Sequence, residues 1–144
     1  MVNMWYRPEM NDGKTIFVFG SNLAGRHGKG AALDAVTYWG ANYGVGEGHC
    51  GQSYAIPTKD RDLRAMPITA VRKYVNKFID YAVANDDLKF LVTEVGCGLA
   101  GYSATQIAPL FFDCPNNCVL PDEFLEIFVH QSHAKANKKV KISH

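Results

Sequence analysis

The stretch Phe17 to Ala32, FVFGSNLAGRHGKGAA, decides how the chain is read. Together with Thr15 and Ile16, the run Thr15–Phe19 is β-branched and aromatic, the composition that packs on a pleated sheet. It is expected to break at Gly20-Ser21-Asn22, pass through Gly25, Gly28 and Gly30, and enter an alanine-rich helix, Ala31 to Tyr38. Strand, glycine loop and helix together make an anion cradle. Glycine lets backbone N–H groups turn inward with no Cβ in the way, and a helix N-terminus adds partial positive charge. His27 and Lys29 would add donors beside it. The loop is not a Walker A loop, because the spacing from Gly25 to Lys29 is wrong and no Ser or Thr follows Lys29. Nor does it fit the dinucleotide GxGxxG pattern. On this segment alone, an anion site and an ordinary tight strand-to-helix turn are equally open.

On the N-terminal side, Asn11-Asp12-Gly13 is a turn signal that launches the first strand. On the other side lies a second glycine-dense piece, Gly40 to Gly48, too rich in glycine for a regular helix. It reads either as a close-approach loop over a ligand or as a plain surface connection. Ser53–Ile56 is a short strand stopped by Pro57, with Thr58, Lys59 and Asp60 at its carboxyl end. Pro67 opens the best helix of the chain. Ile68, Val71, Tyr74, Val75, Phe78, Ile79, Ala82 and Val83 recur at helical spacing as core, while Arg72, Lys73, Asn76, Lys77 and Asp80 take the other face. Leu88–Glu94 reads as a strand, followed by a third glycine loop from Gly96 to Tyr102. Ser103 and Gln106 have the form of a capping box, which predicts a helix from Ala104 to about Phe112. Cys118–Leu120 is a last short strand, and Pro121-Asp122 start a final helix through His130. Residues 1–132 form one domain, and residues 133–144 are a basic tail, disordered by default or else a phosphate-attracting arm.

The 144 residues suffice for one domain with a sizeable core. Fifteen Lys and Arg against fourteen Asp and Glu point to neither nucleic acid nor a membrane surface at the level of the whole chain. No segment has transmembrane length or the look of a leader. Cys50, Cys97, Cys114 and Cys118 form no CxxC pair, and Cys114 and Cys118 lack histidine partners at zinc spacing. Free thiols in a reducing, cytoplasmic compartment are therefore expected, with no metal and no cofactor.

Strands alternating with helices imply an α/β layered fold with a largely parallel sheet, in which ligands sit at the carboxyl ends of strands. Three features fall at such ends: Gly20 to Gly30, Pro57 to Asp60, and Gly96 to Tyr102. Two glycine cradles on one sheet edge suit a diphosphate, or a phosphate and a sugar held apart.

Three segments, taken in order, resemble the macrodomain family. They are Gly28-Lys29-Gly30-Ala31-Ala32, Ile56-Pro57-Thr58-Lys59 and Val95-Gly96-Cys97-Gly98-Leu99. They are similar to the GKGIA-type loop, the PTK segment and the GCGL loop of one branch of that family. That branch holds glycohydrolases acting on ADP-ribosylated protein and DNA, and an ADP-ribose 1''-phosphate phosphatase. The resemblance spans roughly Thr15 to Leu120. It implies a three-layer α/β/α fold with a mixed, largely parallel sheet, and binding of ADP-ribose or of ADP-ribosylated protein or nucleic acid.

The resemblance also implies roles for residues. The backbone from Gly28 through Lys29 and Gly30 to Ala31 would face the distal ribose and phosphates. Gly96, Cys97, Gly98, Leu99, Ala100 and Gly101 would wrap the diphosphate, with Tyr102 against the ribose or in the core. Gly20, Asn22, His27 and Thr58 complete the expected ligand-binding set; Asn22 either bonds a ribose hydroxyl or serves the turn. Lys59 is the expected catalytic residue. In the branch's glycohydrolases the matching lysine works on the anomeric carbon and forms a Schiff-base-type adduct with the ring-opened sugar, which needs the amine lone pair free. In one respect the chain departs from the pattern: Ala100 stands where the protein glycohydrolases carry an aspartate. Asp60 or Glu94 would then supply a carboxylate, or else be a turn partner or surface charge. A hydrolase of an ADP-ribosyl linkage, a non-catalytic binder of ADP-ribose or a related NAD-derived nucleotide, and an ADP-ribose 1''-phosphate phosphatase all follow from the resemblance.

Overall fold

The computed structural model describes residues 12–142, with side chains as far as 132. The launching turn is described from Asp12 onward. The Asp12 carboxylate accepts the backbone N–H groups of Lys14 and Thr15 at 2.8 and 2.9 Å, and these bonds hold its pKa below the usual carboxylate value.

Strand β1, Thr15–Asn22, is the centre of a five-stranded sheet. Its neighbours are β3, Ser53–Lys59, and β4, Lys89–Val92, both parallel to it. The edges are β2, Gly48–Cys50, antiparallel to β3, and β5, Cys118–Val119, parallel to β4. Helix α1, Gly30–Tyr38, covers one face, where Phe17, Phe19 and Ala55 meet Ala35 and Trp39. Helices α2, Ile68–Ala84, α3, Ala104–Ile107, and α4, Asp122–Ile142, cover the other with a short 3-10 helix, Ala108–Phe111. There Ile16, Val18, Tyr54, Ile56, Phe90 and Val92 meet Val71, Val75, Phe78, Phe111 and Phe124. Alternate residues of β1 feed opposite cores, which is why the run has no polar face. The result is the expected three-layer α/β/α fold with a mixed, mostly parallel sheet.

Several boundaries differ from the local reading. β1 does not break at Gly20: Gly20, Ser21 and Asn22 remain paired with Ile56, Pro57 and Lys59, with one irregularity between Ser21 and Asn22. Nor does Pro57 stop β3. β2 pairs with β3 only as far as Ala55, and beyond that point the side of β3 away from β1 carries, among the described residues, only the bridge of Lys59 with Ala65 and the Met66 bond to Thr58, so a missing N–H at Pro57 removes no bond. β2, not expected from the sequence, begins at Gly48, the last residue of the expected loop. The helix after Ser103 is one α turn followed by the 3-10 segment; Ser103 N–H donates to Gln106 Oε1 at 2.9 Å, as a capping box requires. On α2 the inward set is Val71, Val75, Phe78 and Ala82, whereas Val83, expected in the core, is 60% exposed. Helix α4 continues past His130 to Ile142, through most of the segment read as a tail. Among the described residues no helix is long and apolar enough to cross a membrane.

Candidate functional site

The chain leaves β1 for α1 on one face and β3 for α2 on the other, which makes the carboxyl ends of these two strands the switch point where such sheets form a ligand crevice. Asn22 and Lys59 are register partners at that edge, and Leu23 N–H donates to the Lys59 carbonyl at 3.0 Å. The third glycine loop arrives beside them. A Cβ on Gly20 would stand 3.1 Å from the Gly96 nitrogen, so the side-chain-free Gly20 lets the segment after β4 lie directly on β1. The three sequence features expected at one edge are thus brought together.

Two backbone stretches there carry donors without protein acceptors. Lys29 caps α1 without a side-chain bond, and the first turn holds no acidic residue. Among the described residues, the N–H groups of Gly28, Lys29, Gly30, Ala31 and Ala32 find no backbone acceptor. In the third loop the same is true of Gly98, Leu99 and Ala100. The rest of that loop is spent on itself, contrary to the expectation that all of it faces a ligand. Cys97 N–H donates to Glu94, Gly101 N–H to Gly98 and Tyr102 N–H to Gly96, at 3.0–3.1 Å. Gly96 is buried with φ +78°, and its missing Cβ makes room for Ile107, Tyr102 and Thr58. Gly28 and Gly98 are different. Neither has a left-handed backbone, and a Cβ on either would meet nothing within 4 Å.

Several side chains expected at the ligand are occupied within the fold. Asn22 brackets the backbone of Arg26, donating to its carbonyl at 2.9 Å and accepting its N–H at 3.0 Å; the turn role is the one it performs. Thr58 is buried, and its hydroxyl donates to the Ser21 carbonyl at 3.3 Å. Asp60 organises the loop after β3, accepting the N–H groups of Asp62 and Arg64 at 2.9 and 3.0 Å, rather than facing the crevice as a free acid. His27 is also buried. Its Nε2–H donates to the Val45 carbonyl at 2.9 Å, its ring stands edge-on to Phe19, and Nδ1 has no partner among the described residues. Tyr102 is half-buried against the larger core. Burial, followed by Glu94 and Glu123, pushes the Cys97 thiol up to about 11, so it is protonated near neutral pH and is no nucleophile. Glu94 is exposed, and its carboxyl is raised by partial burial and then by the hydrogen bond and charge of Glu123. Lys59 is half-buried, and its amino group has neither hydrogen bond nor ion pair among the described residues.

Sequence reasoning underrated the loop from Gly40 to Gly48. It is a close-approach loop, and what it approaches is the first glycine loop. Gly44 N–H donates to Gly25 at 2.8 Å, the Ser21 hydroxyl donates to the Gly46 carbonyl, and His27 holds Val45. A Cβ on Gly46 would lie 2.2 Å from the Asn22 carbonyl oxygen. Four glycines in nine residues were the available signal; the partner was not. Lys77 pairs with Glu47 of this loop at 3.3 Å, and just beyond it the Tyr81 hydroxyl bonds His49 Nδ1, tying the region to α2. An open depression on α4, lined by Asp122, Leu125, Glu126, Val129 and His130, includes none of these loops.

Fold and crevice together define an α/β/α protein with unpaired backbone donors and, among the described residues, the unpaired Lys29 and Lys59 at the carboxyl edge of a mostly parallel sheet. Comparison of the chain with protein-family models, with curated proteins and with solved structures gives no match.

Proposed function

We propose that this chain is a macrodomain-like, ADP-ribose-binding protein that hydrolyses an ADP-ribosyl linkage, with Lys59 as the catalytic residue. The observation that carries the reading is the glycine pattern of the crevice. Gly20, Gly46 and Gly96 are glycines because protein backbone or side chains crowd them, but nothing inside the fold demands glycine at Gly28 or Gly98. Those two flank the N–H groups left unpaired, so a ligand lying against the backbone is the reason they lack a side chain. A diphosphate spanning the α1 N-terminus and the 98–100 segment would take these donors. Lys59 stands at the end of β3, in register with Asn22 of the neighbouring β1, where its amine would reach the anomeric carbon of the distal ribose. The same backbone donors would stabilise charge on the phosphates during cleavage. We place this activity in the cytoplasm, on the ground of four cysteines that all stand as free thiols.

Calorimetric titration with ADP-ribose tests the binding half, with AMP and ribose 5-phosphate as controls. Saturable binding selective for ADP-ribose is expected, and no binding at millimolar ligand overturns the reading. Lys59→Ala tests the catalytic half. The variant is expected to bind within about threefold of the parent, since a shift below 1 kcal/mol corresponds to that range, and to lose turnover of ADP-ribosylated substrates. Ala100, in place of an aspartate, favours a second reading, a binder without turnover. Binding without hydrolysis in the parent protein selects it.

A further inference from the structure

Beyond the crevice, on the opposite half of the sheet, two cysteines that the proposed function does not use are brought together. Cys114 N–H donates to the Phe111 carbonyl at 3.1 Å as the 3-10 helix ends, and Cys118 N–H donates to the Pro115 carbonyl at 3.1 Å. The second bond closes a reverse turn, which holds the α-carbons of residues 115 and 118 within about 7 Å and folds Cys114 back toward Cys118. Both side chains are half-buried against the same core, and the interaction between the two thiols raises the pKa of Cys114 and lowers that of Cys118.

One side of the pair is held firmly. Cys118 is in register with Phe90, and the preceding residue, Asn117, accepts Phe90 N–H at 2.8 Å. The Asn117 side chain also reaches the carbonyls of Ala82, Asn85 and Leu88 at 3.0–3.1 Å. Cys114 lies in the irregular connection between the 3-10 helix and the turn, where the backbone is free of ladder bonds and can adjust to disulfide geometry.

We propose that Cys114 and Cys118 are a redox-active dithiol that closes to an internal disulfide on reaction with a hydroperoxide. Cys118 is the attacking sulfur, because the interaction with Cys114 lowers its pKa, while Cys114, raised by that same interaction and by burial, keeps its proton and resolves. In the first step the Cys118 thiolate attacks the terminal peroxide oxygen. The O–O bond breaks, the alkoxide or hydroxide leaves and takes up a proton, and Cys118 becomes a sulfenic acid. In the second step Cys114 gives up its proton and its sulfur attacks the Cys118 sulfur. The S–S bond forms, and the hydroxyl leaves with that proton as water. The other two cysteines are not set up for this. Cys50 lies on the far edge strand β2, bonded to the Gly40 carbonyl, and Cys97 is held protonated at about 11.

The test is reversible oxidation of the reduced, full-length protein with hydrogen peroxide. Intact mass should fall by two hydrogens. Mapping after cleavage at Asp and Glu should show Cys114 and Cys118 protected from alkylation together, Cys50 and Cys97 still alkylated, and dithiothreitol restoring both. A Cys50→Ser, Cys97→Ser double variant should lose the same two hydrogens, and Cys114→Ser should leave a sulfenic acid on Cys118 that dimedone traps. Closure should be roughly tenfold faster in the folded protein than in urea, because folding has already apposed the sulfurs. Oxygen addition with Cys114 and Cys118 still separately alkylatable overturns the proposal, and so does equal closure rate in urea. Neither outcome depends on ADP-ribose binding.

Discussion

Replacing Gly46 and Gly28 by alanine, one at a time, separates the two reasons a glycine occurs in these loops. At Gly46 the new Cβ would lie 2.2 Å from the Asn22 carbonyl oxygen, and both partners are backbone, so the loop must retreat by about 1 Å to restore ordinary contact. That retreat breaks the three bonds that hold the loop down: Ser21 to Gly46, Gly44 to Gly25 at 2.8 Å, and His27 to Val45 at 2.9 Å. At about 1 kcal/mol net for each, the loss is about 3 kcal/mol. For a chain of this length that lowers Tm by roughly 10 °C. At Gly28 a Cβ meets nothing, and the backbone is not left-handed, so the loss of unfolded-state freedom wins and stability rises by about 0.4–1 kcal/mol. Yet the Gly28 methyl would stand where the proposed diphosphate approaches, an overpacking cost of about 1–3 kcal/mol, or roughly 5- to 150-fold in Kd. Thermal melts by circular dichroism and calorimetric titration read the two effects. A Gly46→Ala protein melting within about 2 °C of the parent would refute the packing argument, since the sum above requires several times that shift. A Gly28→Ala protein that binds ADP-ribose unchanged would refute the claim that a ligand occupies that space.

Asn22→Ala removes both bonds to the Arg26 backbone and should cost about 1–2 kcal/mol by denaturant unfolding. Asp60→Asn keeps an acceptor for Asp62 and Arg64 and should melt with the parent, whereas Asp60→Ala should melt several degrees lower; equal melts for both would remove the turn role. Glu94 tests the sign of a pH effect. Its carboxyl is raised by burial and by Glu123, so the folded state binds the proton more tightly than the unfolded state, and its contribution to stability is lost as pH rises through that raised value. Glu94→Gln should therefore raise Tm near neutral pH and leave it unchanged near pH 3, where the carboxyl is protonated in both states. A gain of equal size at both pH values would show that the charge is not the cause.

Helix α2 was legible from spacing alone, because an amphipathic period is a local property: Val71, Val75, Phe78 and Ala82 point inward by the geometry of one helix. Val83 fell outside for the same reason, being a step too far round the helix. Pro57 was read as a stop because proline lacks an N–H, but whether that matters depends on where the neighbouring strand ends, which is a property of β2 and not of the segment. Gly20 looked like a break and is a contact: its partner Gly96 lies 76 residues further on. β2, three residues long, exists only because β3 supplies its partner.

At the crevice, the sequence was enough to place three loops at the carboxyl ends of strands, because alternation of strand and helix constrains where those ends lie. The tasks of Asn22, Thr58, Asp60 and His27 were beyond it. A polar side chain can bond a ligand or its own fold equally well, and in each of these the fold reached it first, through Arg26, Ser21, the Asp62–Arg64 turn and Val45. The sequence by itself determined the alternation of strand and helix, the amphipathic helix and the glycine positions, since these follow from local period and backbone chemistry. Only the tertiary structure decided which glycines are crowded and which face open space, because a missing side chain acquires its meaning from what arrives opposite it.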